Sequence, residues 1–469
     1  MADVVLVLDC GATNVRAIAI SAEGRILGIR SVPNSASHDP AFPDGKIWDH
    51  NRIWRDFSEC SRALKMDLDT NRIGAVTVTT FGVDGTLVDR DGNPLHPVIS
   101  WQCERTASVM ESVAAQIPGL YQRCGLQSYP FNTIYKLAWL QKHRPEIVSK
   151  AYAWLFISNI FLHRMTGILA TDATMAGTSM LTDLATYSFS AETLAALKLN
   201  SGLFPNVVEA GTVVGELQPS AAADLGISAG VPVVSTGHDT QFALFGSGAT
   251  ENEPVLSSGT WEILMVRARQ VTATGTLKNR GVTIEFDSEK SLYNPGVMWI
   301  ASGLVESLKR MAFSNHEGDA AYEAMITEGK SAGPGSGGLK FSGDPVSNQG
   351  SFSGIGLNTT RGQLARAVFE HLSFRTRDAL TLLEDACGFK AKSILCVGGG
   401  SKNRLWNQIR ADVLNRPVRL VDRKESTALG AACFAMPAMG VHRNPRAALE
   451  AAGIVPVELE PGDEAKFYN

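Results

Sequence analysis

The chain is poor in the features that would tie it to a membrane, an export route or a nucleic acid. Its seven cysteines, in 469 residues, are scattered, odd in number and never paired as CxxC. That excludes a disulfide frame and a zinc knuckle, and it predicts reduced thiols in a cytoplasmic setting. Asp3 stands where a secretory signal would carry positive charge. Lysine plus arginine is 43 against 47 for aspartate plus glutamate, a net charge of −4. No basic run is present to track a phosphate backbone, so no nucleic-acid partner is expected. The most membrane-like run, 151–165, contains Ser158, Asn159 and His163. It is too short and too polar to span a bilayer, so it reads as a buried helix and no membrane partner is expected.

What the chain does have is apolar content, 44% of its residues. That suffices for two large cores, read here as domains over 1–248 and 249–469 with a hinge at 249–254. The stretch 231–264 organises the reading. A β-branched run, 231–234, ends in Ser-Thr-Gly and delivers His238 and Asp239. A second apolar run then turns through Ser257-Ser258-Gly259-Thr260. Turns at strand ends expose side chains that a rigid sheet holds in place. A Ser/Gly/Thr turn offers several N–H groups and hydroxyls to phosphate oxygens. A carboxylate with a phosphate-sized turn in one stretch points to phosphoryl transfer.

The N-terminus has the same build. A strand at 4–8 ends in Asp9-Cys10-Gly11-Ala12-Thr13-Asn14, and strands at 15–20 and 25–32 complete a meander. Gly11 lets backbone approach a phosphate, and Asp9 suits a hydrated cation. Helical spacing follows at 51–66, then a Val/Thr-rich strand at 73–80 that ends in Phe81-Gly82-Val83-Asp84. Trp101, Glu104 and Arg105 combine an aromatic face with polar groups, which suits a sugar. Farther on, Thr359-Thr360 can cap a long helix, and Gly335 to Gly338 reads as a surface loop. A strand at 393–397 runs into Gly398-Gly399-Gly400-Ser401-Lys402-Asn403, which opens a helix at 404–414. Glycines between strand and helix let backbone approach a nucleotide. Two phosphate-sized turns in matching positions imply pseudo-duplicated domains facing one cleft.

Two long signatures carry a resemblance. One reads Phe131-x-Thr133-x-x-Lys136-Leu137-x-Trp139-Leu140-x-Lys142-His143. The other reads Gly350-x-Phe352-x-Gly354-Ile355, then seven residues, then Gln363-Leu364-x-x-Ala367-Val368-Phe369-Glu370. In order, and with the turns around them, they resemble the FGGY carbohydrate kinases over nearly the whole chain. The resemblance implies an α/β fold of two actin-like (ribonuclease H-like) domains around a central cleft. It also implies ATP with Mg2+ at Asp9, a small sugar as acceptor, and allows a homodimer.

Asp9, Gly11, Thr13 and Asn14 resemble the family's first phosphate motif, and Gly259-Thr260 its second. Gly398, Gly399, Gly400, Ser401 and Asn403 resemble the adenosine motif, Asp239 the catalytic base, and 425–432 a helix connecting the domains. Phe81, Gly82, Asp84, Trp101, Glu104, Arg105 and His238 are then the expected sugar contacts. They are most similar to the branch acting on deoxy-ketohexoses. The family often has Trp-x-Asp-x-Arg where this chain has Cys103. A small, weakly polar side chain there suits the methyl end of a deoxy sugar. A nucleotide-binding actin-fold module without a sugar is the competing reading, and the Asp239 turn and the Trp101–Arg105 cluster would be superfluous to it.

Overall fold

The computed structural model describes residues 2–316, 318–343, 349–421 and 425–469. The first sheet is built from β1 (Val4–Cys10), β2 (Asn14–Ser21), β3 (Ile26–Pro33), β4 (Ile73–Thr80), β5 (Val213–Glu216) and β6 (Pro232–Val234). Their order across the sheet is β5-β6-β4-β1-β2-β3. The meander β1-β2-β3 is antiparallel, and β4 and then β6 add on parallel to β1. β1 and β4 are buried along their whole length, as continuous apolar strands covered on both faces must be.

On one face lie α1 (His50–Ala63) and α3 (Ile157–Thr166), with α2 (Thr133–His143) beyond them in the same core. On the other lie α4 (Asp239–Gly246) and α7 (Ser426–Ala435), which bury Phe242, Phe245 and Phe434 against Val5, Val7 and Ile18. The helix α7 comes late in the chain and yet completes the first core.

The second sheet comprises β7 (Val255–Ser258), β8 (Trp261–Met265), β9 (Thr283–Phe286), β10 (Tyr293–Ile300), β11 (Ile394–Val397), β12 (Val418–Leu420) and β13 (Val457–Leu459). The order is β9-β10-β8-β7-β11-β12-β13. Here β7, β8 and β10 form the antiparallel meander, and β11 and β12 add on parallel to β7. The two sheets therefore share one topology, with β1 and β7 in equivalent places. The long helix α5 (Arg361–Cys387) and α6 (Arg404–Leu414) cover this sheet through Phe369, Leu372, Leu380 and Trp406. Thr360 caps α5 in a reciprocal capping box with Gln363.

Two expectations fail. The run 151–165 is not one helix: Ala153–Phe156 is a strand paired antiparallel with Gly85–Val88, and only then does α3 begin. A short apolar run fits either state, and pairing with the buried Gly85–Val88 strand decides it. The 335–338 loop is not simply surface. Ser336 is fully buried, and its hydroxyl and the Gly335 N–H donate to Glu370 of α5 at 3.2 and 2.8 Å. Among the described residues no helix is long and apolar enough to cross a membrane.

Candidate active site

Both carboxylates that the sequence singled out stand at strand ends. β6 runs through Ser235, Thr236 and Gly237 to His238, the N-cap residue of α4, and Asp239 is that helix's first residue. Asp239 Oδ1 accepts the Thr240 N–H at 2.7 Å, which fixes its rotamer. Its side chain is 30% exposed. Burial raises its carboxyl above the usual range, and the adjacent His238 opposes that shift. The His238 N–H donates to Thr174 Oγ1 at 2.8 Å. A Cβ on Gly82 would lie 3.0 Å from His238 Cδ2, so glycine there makes room for the imidazole.

Asp9 ends β1 and is 3% exposed. Its cross-strand partner is Arg16, whose Nε and Nη2 reach Asp9 Oδ2 at 2.8 and 2.6 Å. Arg16 Nη1 also reaches Glu425 Oε2 at 2.6 Å. Burial, then the charge of nearby Asp239, outweigh Arg16, and the Asp9 carboxyl is pushed up to about 6. Among the described residues no hydrogen bond reaches Asp9 Oδ1, and no cluster of three His, Cys, Asp or Glu side chains could cage an ion. Magnesium commonly takes one or two carboxylates together with waters and substrate phosphates, so a lone free carboxylate oxygen fits it better than a cage would.

The two turns carry little side-chain bulk. Thr13, Asn14, Gly259 and Thr260 are exposed. Gly11 and Gly259 sit outside the left-handed region, and the nearest atom to an added Cβ is 3.6 Å and 3.5 Å away respectively. Nothing inside the protein demands glycine at either position, which is what a backbone meant for close approach by a ligand looks like. The Gly398-Gly399-Gly400 run divides in the same way. Gly398 and Gly400 press on Ser258, whereas nothing lies within 4 Å of an added Cβ at Gly399. Ser401 Oγ donates back to Gly398 O at 2.7 Å, and Asn403 Oδ1 caps α6 by accepting the Trp406 N–H at 3.0 Å. Those two side chains shape the turn, and Gly399 is its open point.

The expected sugar contacts separate into two groups. Gly82 and His238 meet, Phe81 is buried against Trp48 at 4.7 Å, and Trp101 is 38% exposed. Glu104 is exposed, and its carboxylate makes no hydrogen bond among the described residues. Asp84 and Arg105, by contrast, are used up inside the protein. Asp84 is fully buried: Lys136 Nζ takes Oδ1, while Trp48 Nε1 and the Trp101 N–H donate to Oδ2 at 2.6 and 2.9 Å. Arg105 donates to Asp39 Oδ2 at 2.7 Å and to Cys103 Sγ at 3.1 Å, between the rings of Phe42 and Trp139. Cys103 is buried against that guanidinium and does not line the cavity described next.

A cavity of about 200 Å³ opens between the halves. The first half lines it with Val83, Phe131 and His238, and the second with Ile263, Met265, Glu285 and Met298. Val83 is a β-branched residue at φ 63°, a strained conformation. Thr133 Oγ1 and Lys136 Nζ hold its carbonyl at 2.7 and 3.1 Å, and its N–H donates to Thr178 Oγ1 at 3.0 Å. The first signature therefore acts through Thr133 and Lys136, which pin the wall of this cavity. Sequence reasoning missed Arg16, Lys136 in this role, and Glu285. Arg16 left one trace, a guanidinium inside an otherwise apolar strand, seven residues after Asp9.

A profile of the FGGY family of carbohydrate kinases, N-terminal domain, matches residues 4–246, and one of its C-terminal domain matches 255–439. The chain belongs to this family. It is 45% identical over 449 residues to L-fuculokinase of Escherichia coli, covering 95% of this chain and 94% of the relative. It is 43% identical over 458 residues to L-fuculokinase of Haemophilus influenzae, covering 96% and 97%. Among solved structures, the xylulose kinase of Rhodospirillum rubrum superposes with a TM-score of 0.88 at 21% identity, over 99% of this chain and 96% of that one. The kinase thus has the two-domain actin-like sugar-kinase fold, with the duplicated sheets described above as its two halves.

Proposed function

We propose that this kinase transfers the γ-phosphoryl group of ATP to the primary hydroxyl of L-fuculose, giving L-fuculose 1-phosphate. The observation that carries the reading is the Asp239 carboxylate. It stands at the cleft beside Asp9, in a chain nearly half identical to L-fuculokinases along their length. A sugar hydroxyl is a poor nucleophile at neutral pH. A positioned carboxylate with raised proton affinity accepts its proton as the O–P bond forms. Gly11, Gly259 and Thr260 offer backbone donors to the phosphates, Gly399 faces the adenosine, and Arg16 supplies fixed positive charge beside Asp9. Magnesium, held by Asp9 and phosphate oxygens, would neutralise charge on the phosphates.

The methyl end of a deoxy sugar finds an apolar wall in Ile263, Met265 and Met298, rather than at the buried Cys103. Phe81, Trp101, Glu104 and His238 remain the proposed contacts for the ring and its hydroxyls, with Asp84 and Arg105 as their buried supports. One methyl is worth about 1–3 kcal/mol of discrimination, so related ketoses should be poorer substrates rather than inert. Catalytic efficiency on L-fuculose, L-rhamnulose, D-ribulose and D-xylulose tests the assignment. A tenfold lead for any of the other three would overturn the choice of sugar, and ATP consumption indifferent to all four would overturn the kinase reading itself.

A further inference from the structure

One polar group from the second domain reaches into the acceptor side of the site. Glu285 lies on β9 opposite Asn294 of β10. Its Oε2 stands 3.2 Å from His238 Nδ1, a charge contact without hydrogen-bond geometry in this conformation, and receives Gln241 Nε2. Gln241 is fully buried on α4, two residues after Asp239, and its Oε1 receives Asn294 Nδ2. The amide of Gln241 is therefore oriented by two side chains of the other domain. The far nitrogen of the imidazole, Nε2, faces Asp239 Oδ1 at 3.6 Å. The imidazole thus stands between two carboxylates, one from each domain, at 3.6 and 3.2 Å.

We propose that Glu285 is a positioning residue for phosphoryl transfer. Delivered by the second domain, it holds the His238 ring with Nδ1–H toward itself and Nε2 toward Asp239. The acceptor side of the site is then complete only when the two domains are seated together. The proposal rests on the reading of Asp239 as the base.

A carboxylate accepting from one ring nitrogen fixes the tautomer at the other, because a neutral imidazole carries a single N–H. It also favours the cation. The charged groups acting on His238 are Glu285 from β9, Asp239 from α4, and buried Asp172 beneath the turn. Burial works against the cation, but the three carboxylates outweigh it and lift His238 above the ordinary imidazole range. Asp84, close by in sequence to Gly82, is already neutralised by Lys136. The His238 cation in turn holds the Asp239 carboxyl down against burial. Removing the charge of Glu285 would relieve Asp239 of a small direct repulsion. It would also deprive Asp239 of the nearer cation, and that larger loss sets the sign.

Glu285→Gln keeps an acceptor for Gln241 and removes the charge. We expect the acid limb of kcat/KM for the sugar to move to higher pH. On the limb the variant should be about tenfold slower for each unit of displacement, while KM for ATP stays unchanged. In a His238→Gln background the same substitution should no longer move the limb. An unmoved limb in the single variant, or an equal displacement without His238, would overturn the proposal. Imidazole nitrogen NMR on the ligand-free protein supplies a readout that needs no turnover. Nδ1 of His238 should be protonated in the parent and lose that preference in Glu285→Gln, and an unprotonated Nδ1 in the parent would sink the idea. An active Asp239→Asn, with the NMR result as expected, would locate the error in the base and not in Glu285.

Discussion

Lys136→Met tests whether the first signature works by holding a buried charge in place. Lys136 and Asp84 are 1% and 0% exposed, and their ends meet directly. Burial lowers the proton affinity of the amine and raises that of the carboxyl, and each group relieves the other. Methionine has nearly the volume of lysine, so little packing is lost and the charge effect is isolated. Asp84 would then keep only two donors, Trp48 Nε1 and the Trp101 N–H. Removing one partner of a buried pair costs about 3–5 kcal/mol. At about 2–4 °C per kcal/mol for a domain of this size, melting should fall by about 6–20 °C. The double variant Asp84→Asn/Lys136→Met leaves no uncompensated charge and retains an acceptor for both donors, so it should recover most of the loss. Lys136 also steadies the Val83 carbonyl. KM for the sugar should therefore rise in the single variant while KM for ATP holds. Calorimetry on the three proteins decides the matter. A loss below about 1 kcal/mol, or a double variant no better than the single, would refute this account of the signature.

Asp239→Asn keeps the bond from the Thr240 N–H and removes the base. Turnover should fall by roughly a hundredfold or more while ATP binding, read by calorimetry, persists. In the parent, kcat/KM should decline on acidification through a midpoint above the ordinary carboxylate range, because burial raises the Asp239 carboxyl. A midpoint near 3.8, the unperturbed value, would contradict the geometry. Asp9 carries a stability signature of unusual sign. Its folded carboxyl is pushed up to about 6 from 3.8, so the fold binds that proton more tightly than the unfolded chain does. Stability from this group is present below about pH 4 and is lost as pH rises through about 6. Melting temperatures of the ligand-free parent should therefore fall relative to Asp9→Asn between about pH 4 and about pH 7, and a flat difference would show that Asp9 is not perturbed.

Much of the fold was legible because its strands are continuous and apolar. The sequence places β4 at 73–80 and α6 at 404–414, and the structure has Ile73–Thr80 and Arg404–Leu414. Carboxylates at strand ends drew attention to Asp9 and Asp239, because a buried strand that ends in a charge needs a reason. The rest depends on partners far away in sequence. Asp84 and Arg105 look like ligand groups when their partners are out of sight, and those partners, Lys136 and Asp39, lie 52 and 66 residues away. Cys103 looked like part of a sugar wall for the same reason. Glu285 was illegible altogether, since Ile284-Glu285-Phe286 reads as an ordinary half-buried strand. Its meaning comes only from Gln241 and His238, which another domain supplies.

The duplicated topology makes the difference between the halves informative. Asp9, two residues before the turn glycine of β1, faces Arg16 on β2; in the second sheet the pair at that register is Ser257 on β7 and Ile263 on β8, and the acid of this hairpin, Glu262 of β8, faces Ser258 one position on. The acidic residue has changed strands, and its fate has changed with it. Asp9 keeps an oxygen free at the cleft. Glu262 is fully buried, accepts Ser258 Oγ at 2.7 Å and Trp299 Nε1 at 3.0 Å, and is neutralised by Arg410. A carboxylate exposed beside the second turn would repel the phosphates that the turn must receive. Burying it under a guanidinium would leave Gly259 and Thr260 to present neutral backbone donors, as the proposed nucleotide site requires. In the proposed mechanism Asp9 and Asp239 both belong to the first half, one to hold a cation and the other to take a proton. Duplication supplied two similar turns, and on the proposed reading the different placement of one carboxylate in each half suits one turn to the cation side and the other to the phosphates.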